Sequence, residues 1–133
     1  MPEENPQYRA LIQDDDESMR NLLSRSFADA GFYVETAEDG EEGLEKIGNA
    51  KTPFDLYFTD NNMGCGMSGI DFLEQVQDHK VFKVFATGDP DGVLLREAVR
   101  LGANMTVEKP VSSLAGLVQE IYQGIREYKS LRA

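Results

Sequence analysis

Carboxylates gather in this sequence at two places where a chain could put them to work. Asp14, Asp15 and Asp16 follow the run from Tyr8 to Gln13, and Asp60 follows Leu56-Tyr57-Phe58-Thr59. Two further polar residues come after short β-prone runs in the same manner: Thr87 closes Val81 to Ala86, and Lys109 stands just beyond Met105 to Val107. Carboxylates brought close repel one another, and a hard divalent cation with oxygen ligands relieves the repulsion. Mg²⁺ suits such a set, because it keeps waters and an open position that a phosphoryl oxygen can fill. A carboxylate is also a competent nucleophile toward phosphorus, giving an acyl phosphate. Phosphoryl transfer depends on positioning and charge neutralisation, for which a metal, an ammonium and a hydroxyl suffice. Lys109 and Thr87 supply the last two.

Each residue taken alone has an ordinary explanation. An acidic run ahead of a helix caps it and complements its dipole. Asp60 and Thr87 before loops can be turn residues, and a lysine before a proline is usually solvated. These explanations do not require all four positions to meet, so the elements that carry them decide the matter.

Hydrophobic spacing supplies those elements. Tyr8 to Gln13 reads as a strand, and Met19, Leu22, Leu23, Phe27 and Ala30 as a helix ended by Gly31. A strand over Phe32 to Thr36 and a helix over Gly40 to Asn49 follow, with Leu44 and Ile47 inward and glycines at 40, 43 and 48 that weaken the helical pattern. Leu56 to Thr59 is a third strand, Asn61 to Gly69 a glycine-rich loop, and Ile70, Leu73 and Val76 mark a short helix. Val81 to Ala86 is a fourth strand, then a helix carries Val93, Leu94, Ala98 and Leu101 up to Gly102. Met105 to Val107 is a fifth strand before a long amphipathic helix with Leu114, Leu117, Val118, Ile121, Ile125 and Tyr128 inward. Strict alternation implies right-handed crossovers and a doubly wound α/β fold: a five-stranded parallel sheet with five helices, flavodoxin-like, in the order 2-1-3-4-5. Ligands of such sheets bind beyond the carboxyl ends of the strands, where the order reverses. Asp14, Asp15, Asp60, Thr87 and Lys109 all lie on that edge.

Composition narrows the classes. The chain has 133 residues, 41% hydrophobic and 28% charged, which suits one globular domain. Thirteen basic against 24 acidic residues leave a formal charge of -11, with no basic stripe for a polyanion, so direct nucleic-acid binding is not expected. The single cysteine, Cys65, excludes an internal disulfide, and the acidic start is unlike a signal peptide. No stretch approaches the roughly 20 apolar residues of a membrane span. The chain reads as cytoplasmic, with no membrane partner.

With these residues in place, the sequence resembles a response regulator receiver domain from about Arg9 to about Tyr128. The likeness rests on Leu11-Ile12-Gln13-Asp14-Asp15-Asp16, on the Asp-x-x-Met turn Asp60-Asn61-Asn62-Met63, on Thr87-Gly88 and on Lys109-Pro110. It implies a flexible tail over 1–7, a receiver domain over 8–130, and a phosphoacceptor switch in a two-component phosphorelay rather than an enzyme acting on other molecules. Asp60 would accept the phosphoryl group and bind Mg²⁺ together with Asp14, acting through water, with Asp15, and with the backbone carbonyl of Asn62. Thr87 would bond a phosphoryl oxygen, and Lys109 would pair with the site through a usually cis Lys-Pro peptide. Asn62 and Asp89 would tune hydrolysis. The implied partners are a histidine kinase or histidine phosphotransfer protein and a downstream protein target, as in chemotaxis-type single-domain regulators.

Three positions depart from the family pattern. Gly64 replaces the usual proline, in a loop one residue longer than common and expected to be mobile. Thr106 stands where an aromatic switch residue is common, and Gln13 takes a place that is typically apolar, suggesting a looser or more polar strand end. Two other functions compete. A pseudo-receiver would bind partners without phosphorylation, which Thr106 encourages. A haloacid-dehalogenase-type phosphatase is suggested by Asp14-x-Asp16-x-Ser18, with Asp14 as nucleophile and Asp89 and Asp91 completing its metal site.

Overall fold

A computed structural model describes residues 7–63, 66–89 and 92–132. Strands β1 (Arg9–Gln13), β2 (Tyr33–Ala37), β3 (Leu56–Asp60), β4 (Phe82–Thr87) and β5 (Met105–Glu108) alternate with helices α1 (Glu17–Asp29), α2 (Gly40–Asn49), α3 (Gly69–Gln75), α4 (Gly92–Arg100) and α5 (Leu114–Arg132). The strands form one parallel sheet in the order β2-β1-β3-β4-β5, as the alternation predicts.

The three inner strands are covered on both faces, which is why Ala10-Leu11-Ile12, Leu56-Tyr57-Phe58 and Val84-Phe85-Ala86 read as unbroken apolar runs. Their side chains alternate between two layers. Ala10, Ile12, Leu56, Phe58, Phe82 and Val84 join Leu23 and Phe27 of α1 and Leu117, Val118, Ile121 and Ile125 of α5. On the opposite face Leu11 and Tyr57 meet Phe72 and Val76, with Leu44 and Ile47 of α2 against them, while Phe85 packs with Leu73 and Ala98. The edge strands β2 and β5 are mostly half-exposed.

Local chemistry sets the helix ends. The Asp16 side chain accepts a hydrogen bond from Ser18 N and opens α1, and Gly31 leaves that helix at φ 97°, in the left-handed region that favours glycine. Asp39 caps α2, and Ser68 with Asp71 forms a reciprocal capping box on α3.

Several expectations are corrected. Leu22 follows the helical count but is 51% exposed, because the inward stripe of α1 runs through Met19, Leu23 and Phe27 at four-residue steps. Val93 is likewise exposed, and Ala98 is the buried residue of α4. Strands β2 to β5 each run one residue further than the apolar pattern suggests, so Asp60 and Thr87 are the last residues of β3 and β4. The ladder carries them there, with Asp60 beside Ala86 and Thr87 beside Glu108. Gln13 does not loosen β1: it is wholly buried and paired in register with both Ala37 and Thr59. The expected mobility of the loop after Asp60 falls partly on Gly64 and Cys65, which lie outside the described residues.

Phe27 ties the α1 layer together, with edge-on contacts to Phe32 and Phe58 at centroid distances of 5.0 and 6.2 Å. Phe27→Ala is expected to cost about 3–5 kcal/mol of stability, read as a lowered midpoint in urea unfolding.

Candidate functional site

The carboxyl edge of the sheet brings the acids together. Asp14, immediately after β1, is 1% exposed; Asp60 is 5% exposed; Asp15 faces solvent. One carboxylate oxygen from each lies within 4.8 Å of the others. Lys109, just beyond β5, reaches across with its Nζ 3.1 Å from Asp60 Oδ1 and 3.2 Å from Asp14 Oδ2. Its peptide bond to Pro110 is cis, and Lys109 N donates to Thr87 O.

Backbone and neighbouring side chains hold these groups in place. Asp14 N donates to Ala37 O, Asp14 Oδ1 accepts from Asp16 N at 3.0 Å, and the Arg20 guanidinium donates to Asp14 O at 2.9 Å. Beyond Asp60, Asn61 acts as a brace: its N donates to Ala86 O, its O accepts from Gly69 N, and its Oδ1 accepts from Ile70 N. Gly69 is required here, since a Cβ would lie 2.7 Å from Asp60 O and 2.8 Å from Asn61 Cα. Arg20 and Asn61 escape a reading of the sequence, because nothing in their spacing separates them from ordinary surface residues.

The charges are unevenly served. Burial first, and then the neighbouring Asp14 and Asp15, push the Asp60 carboxyl up to about 6 against the pull of Lys109. For Lys109, burial opposes its charge, yet Asp60 and Asp14 together with their hydrogen bonds leave it raised. An isolated ion pair would move its partners in opposite directions. Here both rise because burial, helped by Asp14 and Asp15, outweighs the pull of Lys109 on Asp60, while the two bonded carboxylates outweigh burial at Lys109. The excess negative charge is what a divalent cation would neutralise. Three carboxylate oxygens this close together are a donor set that would hold a hard cation such as Mg²⁺.

Other expected site residues stand further from this geometry. Thr87 lies one strand from Asp60, and its Oγ1 accepts from Asp89 N at 3.1 Å, the turn role that its sequence context suggests. Asn62 and Asp89 are exposed nearby. Thr106 sits half-buried on β5 in register with Phe85 and takes no part in the carboxylate cluster. Asp16, the second acid of the phosphatase-like pattern, spends its side chain on capping α1. Asp91 and Cys65 lie outside the described residues. Among those residues no helix is long and apolar enough to cross a membrane.

Comparison with known proteins bears on the same residues. The family model described as the response regulator receiver domain matches residues 10–122. A probable chemotaxis protein CheY of Rhizobium etli is 30% identical over 125 residues, covering 89% of this chain and 95% of that protein. Chemotaxis protein CheY-3 of Vibrio cholerae is 31% identical over 114 residues, covering 82% and 85%. The crystal structure of a CheY-like receiver domain protein from Methanospirillum hungatei superimposes with a TM-score of 0.84 at 27% identity, covering 94% of this chain and 98% of that one.

The raised Asp60 carboxyl predicts a pH dependence for the metal-free protein. Below the ordinary value of 3.8, Asp60 is protonated whether the chain is folded or not, and its burial costs nothing electrostatic. As pH rises through about 6 the folded state must ionise it, and stability falls. Asp60→Asn should therefore be more stable than the native chain at pH 7 in EDTA, by on the order of 2 kcal/mol, with the gap closing toward pH 4. Urea unfolding across that range measures it.

Proposed function

Because the chain belongs to the response regulator receiver family, we propose that it works as a phosphoacceptor switch in which Asp60 is the phosphorylated residue. The observation that carries this reading is Lys109 Nζ bridging Asp60 and Asp14 beside a third carboxylate. That is a nucleophile, a cation-hungry pocket and a fixed positive charge on one strand edge.

Asp14, Asp15 and Asp60, with the backbone carbonyl of Asn62, would hold Mg²⁺. When bound, the ion supplies positive charge that neutralises the carboxylates and the incoming phosphoryl oxygens. Asp60 Oδ attacks phosphorus, and an O–P bond forms. The P–N bond of a phosphohistidine donor breaks, its electron pair leaving with the imidazole nitrogen. Lys109 stays in place as a donor that shifts from carboxylate toward phosphoryl oxygen. Thr87, whose Oγ1 accepts from the Asp89 amide, can donate its hydroxyl proton to that oxygen. Water later attacks phosphorus and returns the carboxylate and inorganic phosphate, with Asn62 and Asp89 at the mouth of the site to tune its approach.

The donor in this reading is a histidine kinase or histidine phosphotransfer protein, and the output is a changed surface offered to a downstream protein. The CheY relatives, which the chain matches over most of their length, support a single receiver domain over 8–130 that signals by protein contact. With Thr106 in place of an aromatic, the readout relies on movement of the β4–α4 turn and of α4.

The test is direct. Incubated with Mg²⁺ and acetyl phosphate, the native chain should gain one phosphoryl mass, labile to hydroxylamine as an acyl phosphate is. Asp60→Asn should gain none, EDTA should abolish the gain, and Lys109→Ala should slow it by about 100-fold. A native chain that forms no Mg²⁺-dependent adduct refutes the proposal.

A further inference from the structure

Gln13 ends β1 immediately before Asp14 and is 0% exposed, yet its amide finds neither donor nor acceptor among the described residues. A buried amide denied partners costs on the order of 1–3 kcal/mol, and native interiors seldom tolerate it. The fold nevertheless makes room for it. A Cβ at Gly43 of α2 would lie 1.7 Å from Gln13 Oε1 and 2.7 Å from Gln13 Cδ, so the amide fills the space that any larger residue at 43 would take. Gln13 and Gly43 are thus a matched pair, and the glycine that weakens the helical pattern of α2 is there to seat a polar group.

What lies beside that seat gives it a role. Gln13 is in register with Thr59, and neighbouring residues of parallel strands share a face, the one where Leu11 and Tyr57 pack beneath α2 and α3. The Thr59 hydroxyl has one proton and two acceptors in reach, Asp60 O at 3.2 Å and Met63 Sδ at 3.9 Å. Met63 is buried and follows Asn62, whose carbonyl is the expected metal ligand. The loop is therefore gripped on both sides of Asn62, by the Asn61 brace and by Thr59 on Met63. The unpaired amide belongs to the residue in register with Thr59, which makes the second grip.

We infer that Gln13 is a positioning residue for the metal-binding loop, acting through a buried water shared between its amide and the Thr59 hydroxyl. A water with two or more polar partners is the usual way an interior amide is satisfied. A water donating to Thr59 Oγ1 leaves the hydroxyl proton for Asp60 O or Met63 Sδ, which flank the Asn61-Asn62 segment on either side, and so steadies the Asn62 carbonyl between them. This inference rests on the phosphoacceptor reading above.

The experiment is a Mg²⁺ titration followed by NMR, without phosphodonor, on the native chain, Gln13→Met, Gly43→Ala and Thr59→Val, with thermal unfolding of each. Gln13→Met keeps the volume and removes the amide, so it should unfold no earlier than the native chain yet bind Mg²⁺ at least about fivefold more weakly. Gly43→Ala keeps the amide but displaces it and should weaken Mg²⁺ equally. The Gln13→Met/Thr59→Val double variant should be no weaker than the worse single one, as coupled sites are. A high-resolution crystal structure should show a water within hydrogen-bond distance of the Gln13 amide and Thr59 Oγ1. Folded variants whose Mg²⁺ affinity stays within about twofold of native overturn the inference, as does a dry seat. If neither Gln13→Met nor Gly43→Ala folds, unchanged affinity in Thr59→Val overturns it alone. A native chain with no Mg²⁺-dependent phosphoryl adduct overturns the phosphoacceptor reading as well, whereas a normal native adduct with unchanged variants removes only the role of Gln13.

Discussion

Three carboxylates, with one oxygen of each within 4.8 Å of the others and a single ammonium bonded to two of them, form the constraint that organises this molecule. Like charges at that distance, two of them on buried residues, would drive the strand ends apart if nothing opposed them. The fold opposes them with geometry. Asp14 is tied through its backbone to β2 and to Arg20, Asp60 is the final residue of a strand paired on both sides, and Lys109 arrives from β5 to bond the two most buried acids. The remaining imbalance, visible in the elevated Asp60 carboxyl, is an electrostatic deficit that a cation and then a phosphoryl group can change. Stability elsewhere, in the aromatic layer under α1 and α5 and the apolar layer under α2 and α3, holds this strained edge together.

The layout follows from the doubly wound topology. Because each crossover returns to the same edge, residues separated by as many as 95 positions, as Asp14 and Lys109 are, become hydrogen-bond partners. The strands that deliver the acids are the inner ones, rigid and covered on both faces, while Lys109 comes from the half-exposed edge. Asp60 thus ends a strand buried on both faces, and its counter-charge comes from beyond a half-exposed one.

Much of this was legible in the sequence because the signals were of the strongest kind. Unbroken apolar runs ending in polar residues gave the inner strands and, with the alternation, the order of the sheet. Strand ends were less legible, since Asp60 and Thr87 break the apolar pattern while still belonging to the ladder. Leu22 misled because helical spacing leaves a residue at the margin of a stripe ambiguous until the partner helix is known. Arg20, Asn61 and Thr59 were invisible, as their roles are hydrogen bonds to backbone that only the folded geometry creates. Gln13 was noticed as an oddity, but its partner Gly43, 30 residues away, could not be read as its counterpart.

Gly69 carries a consequence for how force leaves the site. A Cβ there would lie 2.7 Å from Asp60 O and 2.8 Å from Asn61 Cα, so only glycine lets α3 start directly against the end of β3, and the Ser68–Asp71 box and Asn61 brace fasten the same corner. On the other flank, Thr87 Oγ1 holds its turn by accepting from Asp89 N. A change of charge at this edge therefore meets a corner braced at the start of α3, and that brace depends on a missing methyl group.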